Sequence, residues 1–233
     1  MFETLLSLSF TPFLISFKLA AITTAILLIF STLLAWNLSQ SRSRLKPIIE
    51  AITALPIVLP PSVIGFYILI LLSQNSPVGA FFKDLFGIKL VFNFTGLVIA
   101  SCIYSLPFMI QPLQSGFEAL PKNMIEASYL AGKSKMQTLL FVALPNIKAS
   151  VITAIVITFA HTVGEFGVVL MVGGSIPSQT KVASVAIYEM VEIMNYPVAH
   201  IYSGLMVLLS FCVLVLVYMF NRKQKHPLGG FHD

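Results

Sequence analysis

Apolar residues come in long blocks along this chain, separated by short polar segments. The blocks lie at residues 13–36, 48–72, 94–117, 147–172 and 199–220. A helix needs about 20 residues to cross the hydrocarbon of a bilayer, so each block has the length of one transmembrane helix. The pattern predicts an all-α polytopic membrane protein with about five spans, a short segment at 1–12 before them and a polar tail at 221–233. The second block contains Pro56, Pro60 and Pro61. Each proline removes a backbone hydrogen bond and crowds the preceding turn, so this span is expected to be broken or strongly bent. Pro107 and Pro112 are expected to bend the end of the third span. Between spans, FFKDLF at 81–86 predicts a short interfacial helix, and VASVAIYEMVEIM at 182–194 is expected to form a short helix.

The longest polar interruption runs from 118 to 146 and contains EASYLAGKSKMQTLLFVALP, Glu126 to Pro145. Pro121 precedes it, Pro145 ends it and Gly132 divides it. Glycine in a helix interior costs roughly 1 kcal/mol, so two short helices joined at Gly132 are expected.

Composition and charge turn this pattern into a topology. Hydrophobic residues make up 57% of the 233 and charged residues only 10%, with a mean hydropathy of +0.92. An ordinary soluble domain is excluded. The net charge of +5 therefore reports orientation and does not point to a nucleic-acid partner. Of the 14 Lys and Arg, ten lie in 37–47, 118–148 and the tail, and three in 73–93 and 173–197. By the positive-inside rule the N-terminal segment is outside, and the loop 118–146 and the tail are cytoplasmic. No basic region precedes the first block and no A-x-A site follows it, so it is expected to stay as a span. Cys102 and Cys212 sit in apolar runs without metal-ligand spacing and read as small buried hydrophobes.

Catalytic motifs are missing from the pattern. Gly132-Lys133-Ser134 ends like a P-loop, but Ala127 stands where the first glycine is required and no strand is expected before it. Neither HExxH nor a Ser/His/Asp set is recognisable. The fourth span instead carries Thr158, His161, Thr162 and Glu165 at steps of three and four, one helix face near the bilayer midplane. A carboxylate there must be paired, hydrated or protonated. Two compatible readings follow: a structural pair of Glu165 with His161 or with Lys18 of the first span, or the lining of an aqueous path. Gly164 and Gly167 read as close packing positions, with a flexible gate as the alternative, and Phe166 as a plug or a packing residue.

Glu126-Ala127-Ser128, three residues, Gly132, nine residues, then Val142-Ala143-Leu144-Pro145 resembles the EAA motif of ABC-importer permeases. Ser128 replaces the second alanine and Val142 the isoleucine. LPIVLPPSVIGFYIL, SLPFMIQPLQSGFE and GEFGVVLMVGGSIPSQT are similar to the molybdate permease branch of that family. His161 stands where that branch often carries Arg. The resemblance implies a type I ABC importer permease fold in a bacterial or archaeal cytoplasmic membrane. It implies a homodimer, two ABC ATPase subunits that bind ATP and Mg, an external oxyanion-binding protein, and no cofactor or catalysis in this chain. It implies that Glu126, Ala127, Ser128, Ala131, Gly132, Lys133, Ser134, Leu144 and Pro145 couple to the ATPase, with Lys133 and Lys135 meeting acidic groups. Molybdate or tungstate would pass by alternating access, with Pro60, Pro61, Ser62, Thr158, His161, Thr162, Glu165 and Phe166 as path and gate candidates. An ionised Glu165 would repel a dianion, so it is expected to be paired or off the path. The alternatives are sulfate or thiosulfate as cargo and, in another class, an ion-coupled carrier without an ATPase.

Overall fold

The computed structural model describes residues 9–224, and among these there is no strand. Most of the expected external segment 1–12 and of the tail 221–233 lies outside the described residues. Helix α1, Thr11–Gln40, starts at Pro12, whose fixed φ suits a first turn. Helices α2, Lys46–Val58, and α3, Pro61–Leu72, meet at an angle of 113°. The break follows from Pro60-Pro61. Leu59, forced out of the helical region by the proline after it, is extended with ψ 141°. Helix α4, Pro77–Phe86, is the expected interfacial helix, capped by Ser76 at its start and ended by Gly87 at φ 68°. Helix α5, Phe94–Glu118, runs uninterrupted through Pro107 and Pro112.

The polar interruption folds as α6, Lys122–Leu130, and α7, Lys135–Asn146. Helix α8, Lys148–Gly164, leaves α7 at 83°. Next come α9, Gly167–Gly173, α10, Ala183–Glu192, and α11, Tyr196–Gln224. The last helix continues past the expected end of the fifth span, so residues 221–224 are helical and not loose tail.

Helix α5 serves as a ruler for the other spans. At its Glu118 end, the Lys46 ammonium donates to Glu118 at 2.8 Å. Toward its other end, Leu72 packs in one cluster with Leu90 and Ala100. The bent pair α2–α3 therefore reaches from one end of α5 toward the other. A Cβ on Gly116 would meet Ser150 of α8, and one on Gly173 would meet Leu97. Helices α8 and α9 together thus run the length of α5, while α7 lies with α6 near Phe117 and Ile125 at the Glu118 end. By length and apolarity α1, α5 and α11 can each cross a membrane, and the described residues offer up to five crossings if each bent pair is one span. The main core sits between α1, α5 and α7 around Trp36, Phe117, Leu113 and Leu139, with the Trp36 and Phe117 rings edge to face at 5.2 Å.

The expectation of a continuous fourth span over 147–172 is corrected. The helix stops at Gly164; Glu165 is extended at ψ 134°, and Phe166 precedes α9. Two glycines within VGEFG weaken the helix there, and the Glu165 backbone carbonyl is taken by the Ser184 hydroxyl of α10.

Candidate functional site

Two places gather the sequence candidates. The first is the α6–α7 loop. Ser134 caps α7 by accepting from the Gln137 backbone N–H, and the Gln137 side chain accepts from the Ser134 N–H, a capping box. The P-loop look-alike is thus a helix start. Gly132 closes α6 with φ 77°, a left-handed value that glycine adopts without strain, and no atom lies within 4 Å of where a Cβ would be. The Lys133 N–H reaches back to the Ser128 carbonyl at 3.1 Å. Helix α7 contains a π-helical turn over Leu139–Ala143. The Leu144 N–H donates to the Leu139 carbonyl just before Pro145, which has no N–H to give.

The loop is rigid inside and apolar outside. Ser128 and Thr138 are buried and hydrogen-bonded to each other at 2.9 Å, joining α6 to α7. Ser128 is therefore an internal brace, not a contact surface. Leu144 is half-buried, whereas Glu126, Ala127, Ala131, Gly132, Lys133, Ser134 and Pro145 are exposed. Lys133 lies over the Phe141 ring at 5.7 Å, and Lys135 donates to Asn37 at 2.7 Å. Leu130 is 90% exposed, and Tyr129, Met136 and Phe141 are exposed beside it. Sequence reasoning passed over these four; their signal was apolar residues inside a polar segment. A cavity of about 410 Å³ opens behind the loop, lined in part by Arg42, Lys46, Lys122 and Glu126.

The second place is a polar cluster at the break after α8. The Glu165 side chain is fully buried. Its two oxygens lie 2.6 Å from Ser101 Oγ and 2.7 Å from Ser105 Oγ, both on α5. Ser105 Oγ is also 2.9 Å from His161 Nδ1 and 2.9 Å from Thr162 Oγ1. His161 stands 3.6 Å from Glu165, so the expected i,i+4 pair is present. Lys18 is not a partner: it lies over the Phe94 ring at 4.8 Å. The His161 ring stacks on Phe108 at 3.8 Å.

A cleft of about 600 Å³ adjoins this cluster, lined by Pro61, Ser62, Tyr104, His161, Glu165 and Phe166 among others. Thr158 and Thr162, expected on a path, are buried away from it: Thr162 donates to the Thr158 carbonyl at 2.9 Å. Pro60 does not line the cleft either. The two breaks touch there, since a Cβ on Gly167 would come within 2.9 Å of Pro61 Cβ. Close packing thus holds at Gly167, while Gly164 faces open space. Ser101, Ser105 and Ser184 were missed by sequence reasoning. Ser101 and Ser105, four residues apart in SCIYS, were the available sign of a polar face on α5.

Residues 27–226 match the family model described as "Binding-protein-dependent transport system inner membrane component". The chain is 46% identical, over 89% of its length and 92% of the relative's, to the molybdenum transport system permease protein ModB of Azotobacter vinelandii. It is 29% identical to a putative molybdenum transport system permease protein of Bacillus subtilis, over 93% of this chain and 94% of the relative. It is 31% identical to the sulfate transport system permease protein CysT of Synechocystis, over 83% of this chain and 68% of the relative. Among solved structures, a bacterial alginate ABC transporter bound to its periplasmic protein superposes with a TM-score of 0.75 at 14% identity, covering 97% of this chain and 83% of that one. The MetNI methionine ABC transporter in inward-facing conformations gives 0.66 at 17%, covering 92% and 93%. These two likenesses bear on the fold alone.

Proposed function

Because the chain belongs to the family of binding-protein-dependent transport system inner membrane components, we propose that it is the membrane-spanning subunit of an ATP-driven importer of molybdate. The observation that carries the cargo is the likeness to the Azotobacter molybdenum permease, which exceeds that to the Synechocystis sulfate permease. Tungstate, of the same shape and charge, would share the route. The chain acts in a bacterial inner membrane with an ATPase on the cytoplasmic side and a binding protein outside.

The α6–α7 loop is the ATPase contact. Its exposed Leu130, Tyr129 and Met136 are apolar groups outside the membrane that a partner groove would cover. Helix α7 continues through Ile147 into α8 at 83°, so a displacement of the docked loop passes along α8 to the cleft. ATP and Mg belong to the ATPase; this chain supplies no catalytic group and binds no cofactor. The working unit holds two copies of this chain and two ATPase subunits. Support for pairing comes from α2, where Ile48, Ile52, Leu55 and Val58 are exposed and only Thr53 is buried. Pro61, Ser62 and Gly164 at the cleft are also uncovered in the single chain. Alternating access then exposes the cleft to each side in turn.

The test is reconstitution with its ATPase and binding protein in proteoliposomes. ATP-dependent molybdate uptake is expected. Sulfate uptake without molybdate uptake would overturn the cargo, and full uptake on an ion gradient without ATPase would overturn the class.

A further inference from the structure

A line of contacts joins the cleft to a buried carboxyl that the transport reading leaves without a task. His161 lines the cleft. Its Nδ1 lies 2.9 Å from Ser105 Oγ, which lies 2.7 Å from Glu165 Oε1. With His161 neutral, two proton arrangements fit. In one, Glu165 is a carboxylate, Ser105 donates to it, and His161 donates Nδ1–H to Ser105, leaving a lone pair on Nε2. In the other, Glu165 carries a proton and donates it to Ser105, Ser105 donates to His161 Nδ1, and His161 holds its own proton on Nε2. Both make two hydrogen bonds along this line, and the second holds one proton more, so the count of hydrogen bonds does not choose.

Charge chooses. Among the described residues no Lys or Arg pairs with Glu165: Lys18 sits over Phe94, and the paired lysines serve Glu50, Glu118 and Glu189. The groups around it are His161 of α8, Tyr104, Cys102, Ser101 and Ser105 of α5 and Ser184 of α10, with Ser62 of α3 across the cleft. None is a cation while His161 is neutral. A lone carboxylate at membrane depth is costly, and it would repel a dianion in the cleft. A lone pair on Nε2 would repel it too.

Resting on the transport reading, we infer that Glu165 is a protonated positioning residue. Through Ser105 it fixes the Nε2–H form of His161, which offers a passing tetrahedral oxyanion a neutral hydrogen-bond donor. The hydroxyls of Ser62 and Tyr104 add donors on the same cleft. Neutral donors ease the anion through without trapping it, as passage demands.

The experiment uses the full complex in proteoliposomes, with molybdate-loaded binding protein. In Glu165→Gln the amide N–H donates to Ser105 and its oxygen accepts from Ser101, copying the protonated acid. Its maximal uptake is expected within about twofold of the unsubstituted complex. Glu165→Leu and His161→Leu are expected to lower maximal uptake about tenfold, the effect of one lost hydrogen bond. The half-saturating concentration of loaded binding protein should not change in either. An assembled Glu165→Gln complex as slow as Glu165→Leu would overturn the inference. If Glu165→Gln does not assemble, Ser105→Ala decides. It is expected to cost about tenfold alone and nothing further in a His161→Gln background, where the amide supplies its own donor; equal losses in both backgrounds would overturn the inference. Absence of any oxyanion uptake by the unsubstituted complex would overturn the transport reading and the inference with it.

Discussion

The α6–α7 loop and the Glu165 cluster are built in opposite ways. In the loop, the bracing contacts span short stretches of chain: Ser134 to Gln137 and Ser128 to Thr138. In the cluster, Glu165 meets serines 60 and 64 positions away. The loop leaves a large apolar side chain, Leu130, almost fully exposed, whereas the cluster hides a carboxyl and gives each oxygen a hydroxyl. The first is a finished piece waiting for a partner; the second is complete only because the spans pack as they do. Changes in the loop should therefore act on binding with the fold intact, and changes that strip the cluster of its hydroxyls should loosen the packing of the spans as well.

The largest expected effect breaks the loop side of this contrast. Gly132→Glu adds a side chain at a left-handed φ and a charge among exposed apolar residues. Pull-down of the ATPase should fall by about 30-fold or more, the scale of a lost hot spot, while helix content by circular dichroism stays. Undiminished ATPase binding would remove the loop from the contact.

Next is the cluster side. Ser101→Ala together with Ser105→Ala strips both oxygens of Glu165 of their partners. Unfolding stability in detergent should drop by about 2–5 kcal/mol, since each buried group left unsatisfied costs about 1–3 kcal/mol. The purified protein should still bind the ATPase at a temperature where it is folded. An unchanged melting curve would mean the cluster does not hold the spans.

A sharper comparison lies within GEFG. Gly167→Ala drives a methyl to 2.9 Å from Pro61 and should cost about 1–3 kcal/mol by overpacking. Gly164→Ala meets open space and should be neutral or slightly stabilising. Equal effects in thermal unfolding would contradict the contact between the two breaks.

The smallest effect concerns the outer helix α10. Burial alone would raise the Glu189 carboxyl, but the bonds from Lys181 and Ser175 and the Lys181 charge bring it below its ordinary value. The sign follows: the pair stabilises α10 above the ordinary carboxylate range, and the gain is lost as pH falls through the depressed native value. Solvent screens the pair, so the effect is small. The difference in hydrogen-exchange protection of α10 between the unsubstituted chain and Lys181→Ala should vanish at acid pH; a difference that persists would assign the protection to something else.

Much of this molecule was legible in the sequence because its signals are local. Block lengths set the spans, Pro60-Pro61 set the first break, and Gly132 with Ser134 and Gln137 set the loop. The second break was hidden because VGEFG is apolar enough to read as continuing helix, and its two glycines carry different duties. The Lys18 pairing failed because a helix face shows which residues point together, not which neighbouring helix will meet them. Ser128 looked like part of a contact surface because its motif gives spacing but not burial.

The chain's sequence by itself determined that it has the apolar helices of a membrane protein, where its long polar loop lies and which family it belongs to. These follow from quantities summed along the chain: apolar length, charge placement and motif spacing. Only the tertiary structure decided what Glu165 touches. A buried carboxyl can be satisfied by any hydroxyl or cation within reach, and the close approach of α5 to the end of α8 is what brings two serines to it, with no described lysine paired to it.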